Sequence, residues 1–78
     1  MNYLEWVGLF EEMHVGFERV PTRDPHNAQA FYNLKEDTYA IIFNEVHGPY
    51  TRLFMGGAQR GEVWEGFERD VLGRDSDG

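Results

Sequence analysis

The sequence predicts a small α+β domain: an antiparallel meander of three to four strands packed by an N-terminal and a C-terminal amphipathic helix, in the order α-β-β-β-β-α. Three observations carry this reading. Tyr3, Trp6, Val7, Phe10 and Met13 recur at helical spacing, and Val63, Trp64, Phe67 and Val71 do so again near the C-terminus. Between them, Tyr39-Ala40-Ile41-Ile42-Phe43 is apolar on both alternating faces, the mark of a strand inside a sheet. Both helices are expected against one face of the meander. The 78 residues allow one domain, expected over 1–72, with 73–78 as a disordered tail because no apolar residue follows Leu72. A chain this short hides only about 60–65% of its unfolded surface, so its 2 Trp, 4 Tyr and 6 Phe are expected to supply much of a thin core.

Each element has a local reason. Asn2 followed three residues later by Glu5 reads as a capping box that opens a helix over about residues 3–13, with Glu5, Gly8 and Glu12 opposite the apolar stripe and Leu4 and Leu9 flanking it. Val15, Phe17 and Val20 then shift the period to two, so 14–20 reads as a strand that ends at Pro21. The stretch Pro21–Gln29 is loop-like, although Asp24-Pro25 has the chemistry of a helix start. Two continuations are open: a helix through Leu34 that buries Ala28, Phe31 and Leu34, or a single turn followed by a strand over Phe31–Lys35 that enters the polar turn Glu36-Asp37. The second is adopted.

The apolar segment Tyr39–Phe43 follows as the central strand. His47-Gly48-Pro49 is turn chemistry, and Tyr50–Met55 reads as the return strand of a hairpin. Gly56-Gly57 breaks it, and Glu62–Leu72 forms the closing helix. Glu62 and Glu65 suit its positive N-terminal end, Glu65 and Arg69 stand at i,i+4, and Gly73 suits the left-handed position past its end.

Charge narrows the function classes. With 14 acidic residues against 7 basic ones the chain carries −7, which disfavours direct contact with nucleic-acid phosphates or anionic membranes, since the cations are spread singly. There is no Cys, so no disulfide, thiolate metal site or cysteine nucleophile is available. The N-terminus lacks the basic and apolar regions of a signal peptide, and no apolar run approaches the roughly 20 residues that span a bilayer, so a soluble, cytoplasmic protein is expected. His14, His26 and His47 have no ligand partner at helical metal spacing, and Ser76, the only serine, falls in the expected tail. Gly56-Gly57-Ala58-Gln59-Arg60-Gly61 joins a strand to a helix but is followed by Glu62-Val63 where a phosphate loop needs Lys and Ser/Thr. No enzyme activity, metal site or cofactor is expected, and no motif names a family.

What remains is a surface. Glu5, Glu11 and Glu12 on the first helix, Glu18 on the next strand, and Glu62, Glu65, Glu68 and Asp70 on the last helix can make an extended negative face that imitates a phosphate backbone. Tyr32 and Tyr50 are the candidate aromatic anchors, because each alternates with strand positions expected to point inward. The expected function is therefore a non-catalytic interaction module. It would bind and inhibit or modulate a larger, basic-surfaced protein such as a nuclease or a transcription component, as small acidic phage or mobile-element inhibitors do, an analogy resting on size and charge. The alternative is a self-associating subunit whose thin core is completed across a two-fold axis, by an open strand edge or an aromatic helix face.

Overall fold

The computed structural model describes residues 1–57 and 61–74. Helix α1 (Tyr3–Met13) is followed by strands β1 (Glu18–Val20), β2 (Ala28–Asn33), β3 (Thr38–Glu45) and β4 (Gly48–Phe54), and then by helix α2 (Glu62–Asp70). The strands form one antiparallel sheet in the order β1-β2-β3-β4. The expected element order is the observed one.

The placement of the helices is not. α1 packs on one face of the sheet with Tyr3 and Val7 against Phe31, Ala40 and Ile42, whereas α2 packs on the other with Trp64 against Ala28, Ala30, Ile41 and Phe54. Consecutive residues of a strand point to opposite faces. Ile41 and Ile42 are both fully buried, so each face needs its own cover, and a chain with two helices must place one on each. Both helices on a single face would leave Ile42 or Ile41 in water.

Strand lengths follow the partners available. The strand expected over 14–20 begins only at Glu18, opposite Tyr32; β2 ends one residue further on, at Asn33, so residues 14–16 have no partner on β2. Residues 14–17 turn instead: the Phe17 N–H donates to the His14 carbonyl at 3.0 Å, and Val15 is left exposed. After Asp24-Pro25 the chain makes one turn and no helix. The Asp24 carbonyl accepts from the N–H groups of Asn27 and Ala28, and Asp24 Oδ1 accepts from the His26 N–H at 3.1 Å. β2 then starts at Ala28, earlier than Phe31, because β3 reaches far enough to pair Ala28 with Phe43. It stops before Leu34, where Asn33 Oδ1 accepts from the Glu36 N–H at 3.0 Å and turns the chain.

At the hairpin between β3 and β4 only Val46 and His47 lie between the paired Glu45 and Gly48, so Gly48 and Pro49 belong to the strand. Gly48 has φ of +124°, which a side chain would strain. The capping box forms as expected: the Glu5 N–H donates to Asn2 Oδ1 at 2.9 Å, and the Asn2 N–H to Glu5 Oε1 at 3.4 Å. α2 has Gly61 at its N-cap and no side-chain cap, and it ends at Asp70, two residues short of Leu72. Gly73 does take the left-handed conformation, at φ +71°, and the Arg74 N–H reaches back to the Glu68 carbonyl. Of the expected tail, then, 73 and 74 are packed onto α2, and 75–78 lie outside the described residues, as do Ala58, Gln59 and Arg60 of the glycine-rich connection.

Two residues expected on apolar helix faces are exposed: Met13 at the end of α1 and Val63 in the first turn of α2. Met13 lies on the flank of α1 where Trp6 meets β4, and the sheet ends at β4, so among the described residues nothing beyond that strand covers it. Val63 stands beside the buried Trp64, which claims the sheet-facing direction.

The two-faced core makes a direct prediction. Phe31→Ala, in the α1 layer, and Trp64→Ala, in the α2 layer, each lower the unfolding free energy by about 3–5 kcal/mol, whereas Asn2→Ala, which removes only the cap, costs about 1 kcal/mol. Urea unfolding followed by circular dichroism measures all three. A Trp64→Ala variant as stable as the parent would mean that α2 does not cover the Ile41 face.

Candidate functional site

The opposed helices sort the candidate residues into two groups. The exposed sides of α1 and α2 face away from each other, so Glu5, Glu11 and Glu12 stand on one side of the molecule and Glu62, Glu65, Glu68 and Asp70 on the other. The carboxylates of the two helices therefore do not form one continuous face. Strand parity adds the aromatics to the α2 side. Tyr32 pairs with Tyr39 and Tyr50 with Phe43, and both Tyr39 and Phe43 pack in the α2 cluster, so Tyr32 and Tyr50 project from the face that α2 covers. They flank the helix; neither points away from the core as expected. Glu18, opposite Tyr32, is on this side as well.

The α1 group is largely engaged within the fold. Glu5 belongs to the capping box, and Glu11 is paired with Arg19 of β1, whose Nε donates to Oε2 at 2.6 Å and Nη2 to Oε1 at 3.3 Å. This bidentate contact holds the Glu11 carboxyl below its ordinary pKa. Only Glu12 of the three is exposed and unengaged among the described residues.

The α2 group is freer. The expected Glu65–Arg69 pair does not form, and Arg69 Nε instead lies 3.3 Å from Asp70 Oδ1. An exposed i,i+4 pair gains about 0.3–0.5 kcal/mol, too little to hold two long side chains together in water. Among the described residues Glu62, Glu65 and Glu68 have no ion-pair partner. Nearby Arg52 sits over aromatic rings, 5.5 Å from the Phe54 centroid and 5.1 Å from that of Phe67.

The rings beneath form a connected series. Tyr32 contacts Tyr39, Tyr39 contacts Trp64, Trp64 contacts Phe54, Phe54 contacts Phe67, Phe67 contacts Phe43, and Phe43 stacks on Tyr50, with centroids 4.5–5.5 Å apart. Tyr32 and Tyr50 are its two ends. Tyr50 is 43% exposed, while Tyr32 is half-buried and its hydroxyl donates to Asp37 Oδ1 at 2.8 Å. That bond stabilises the neutral phenol and raises the Tyr32 pKa above its ordinary value. Parity could have placed both tyrosines beside α2 had the helix positions been known.

Among the described residues, no group of three His, Asp or Glu side chains is placed to hold a metal ion, and no helix is long and apolar enough to cross a membrane. His14 packs at a tilt against Phe10 with centroids 4.3 Å apart, His26 occupies the Asp24 turn, and His47 the hairpin, so the three histidines do not converge. Ser76 lies outside the described residues. Compared with protein-family models, curated proteins and solved structures, the chain has no significant match.

Two titrations check this geometry. Glu11 has a folded pKa below its unfolded one, so the Arg19 contact contributes stability above about pH 4.3, and that contribution is lost as pH falls through the folded value. Arg19→Gln moves the Glu11 carboxyl back up toward its ordinary value, as read by NMR of the side-chain carbon. For Tyr32 the sign is opposite: the folded pKa is raised, so the contribution is complete below about pH 10 and is lost as pH rises through the folded value. Asp37→Asn lowers the Tyr32 transition in a phenolate absorbance titration.

Proposed function

We propose that this protein is a non-catalytic interaction module whose α2 side binds a basic surface on a larger protein. One observation carries the reading: Glu62, Glu65, Glu68 and Asp70 share a side of the molecule with Tyr32 and Tyr50, so carboxylates and aromatic anchors occur together. Carboxylates steer and orient a cationic partner, while a partly exposed tyrosine supplies area at small entropic cost. The anchors are held in place before binding, because each is an end of the packed ring series, and this limits what ordering costs on association. Lys- and Arg-rich grooves of nucleases and of transcription proteins are the partner chemistry that fits, and inhibition by occupying such a groove is the corresponding activity.

The test is a tagged pull-down from nuclease-treated lysate, eluted in a salt gradient. A nucleic-acid-handling protein released at moderate salt is the expected result. With that partner in hand, Glu62→Lys/Glu65→Lys weakens binding by about tenfold or more, and Glu5→Lys/Glu12→Lys, on the opposite side, changes it by less than about twofold. Equal losses from the two double variants would overturn the assignment to α2, and binding indifferent to salt would overturn the electrostatic mode.

A further inference from the structure

Among the described residues no strand pairs with the outer side of β4, and the register says which groups it offers. The Asn44 N–H donates toward β2, to the Asn27 carbonyl at 2.9 Å. Bonding directions alternate along an antiparallel strand, so the even-numbered residues of β3 bond to β2 and the odd-numbered ones to β4. Ile41 and Phe43 are opposite Arg52 and Tyr50, which leaves the N–H and C=O of Thr51 and Leu53 directed outward. The other edge, β1, is only three residues long and has the Arg19–Glu11 pair beside it. β4 has seven residues, and of the devices that usually block edge pairing it has Pro49 near its start and the charge of Arg52, whose guanidinium lies over Phe54 and Phe67 on the α2 face.

The side chains along β4 include no carboxylate. Residues 48–57 contain no Asp or Glu, in a chain that has 14. On the α1 face of this edge Leu53 and Met55 are 55% and 58% exposed, and they line a groove of about 390 Å³ together with Phe10, Phe17, Thr51 and Thr38, with His14 and the single carboxylate Glu36 at its border. Trp6, Leu9 and Met13 lie within an arc of about 60° on α1, and the Trp6 indole N–H donates to Thr51 Oγ1 at 2.9 Å, so the exposed Leu9 and Met13 belong to the same border. The least acidic part of a chain of charge −7 is where a second copy meets the least repulsion.

We propose that β4 pairs antiparallel with β4 of a second copy of this chain, across a two-fold axis centred on Leu53, to give one continuous eight-stranded sheet. The register follows from comparing the three central positions of the exposed edge. Centring on Arg52 sets two guanidinium groups directly opposite in a close pair, which is repulsive. Centring on Thr51 brings Pro49, which has no N–H, opposite Leu53 and loses a ladder bond. Centring on Leu53 lets Leu53 exchange both backbone bonds with the copy's Leu53, matches Thr51 with the copy's Met55, and places Arg52 opposite the copy's Phe54, the residue type it already covers within its own chain. A stable pair needs about 600 Å² buried per copy, about a ninth of the 5468 Å² accessible surface, and the exposed Leu9, Met13, Leu53 and Met55 at this border contribute to it.

Sedimentation velocity from about 1 μM to 1 mM protein, at low and high salt, tests the proposal independently of any acidic-face partner, because the two respond to salt in opposite directions. Screening strengthens the pairing of two like-charged copies and weakens binding to a basic protein. The expected result is a dimer whose Kd falls with salt and rises at least about tenfold in Leu53→Lys. Leu53 is largely exposed, so the variant should keep the parent's circular dichroism; should it unfold, Met55→Lys serves in its place. Amide exchange gives the register: the Thr51 and Leu53 amides slow with concentration, while those of Tyr50 and Arg52, already bonded to β3, do not. A monomer throughout the range, a dimer insensitive to these lysines, or concentration-independent exchange at Thr51 and Leu53 would overturn it.

Discussion

The fold depends on β3 having to be dry on both faces. Ile41 and Ile42 are adjacent, fully buried and directed oppositely, and Ala40 on the α1 face is fully buried as well. Burying a single Ile side chain is worth about 1.5–3 kcal/mol, so leaving one face open would forfeit a large part of the stability a domain this small possesses. A helix on each side is the response a chain with two helices can make. Ala30 and Ala40, both without exposed surface, keep the sheet thin enough for the rings of α1 and α2 to approach it.

The helices are held by different means. α1 has a reciprocal cap and two tertiary hydrogen bonds, from the Tyr3 hydroxyl to the Pro25 carbonyl at 2.8 Å and from the Trp6 indole to Thr51. α2 has nine residues, no side-chain cap and an isolated-helix stability that would be negligible at that length. Its place comes from Trp64 and Phe67 within the series of rings, and from its C-terminal end, where the Val71 carbonyl accepts from the Arg23 N–H at 2.6 Å. Thus the acidic helix offered as the binding side is fixed to the sheet by aromatic packing, and the tyrosines beside it are part of that packing.

The two proposed surfaces are separated by charge. The α2 side gathers carboxylates, while β4 has none, and of the residues named for the two surfaces only Tyr50, on β4 and beside α2, borders both. A basic partner on α2 would also lower the repulsion between two copies, so one surface can strengthen the other without direct contact between them.

The sequence by itself determined which segments are helix or strand and in what order, because those depend on local periodicity and chemistry: the Asn2–Glu5 box, the double-faced run Tyr39–Phe43, the repeat of Val63, Trp64, Phe67 and Val71, and Gly73 past the last helix. It also contained the carboxylates and tyrosines, each as an isolated position. Only the tertiary structure decided which face each helix covers, and from this followed the splitting of the acidic residues, the gathering of Tyr32 and Tyr50 beside α2, and the exposure of Met13. Strand ends at Glu18, Ala28 and Asn33 were decided there too, since a strand continues only while a neighbour offers hydrogen-bond partners. The physical reason is common to all of these. Periodicity says that a residue points to one side of its element, and only packing against the other elements says what is on that side.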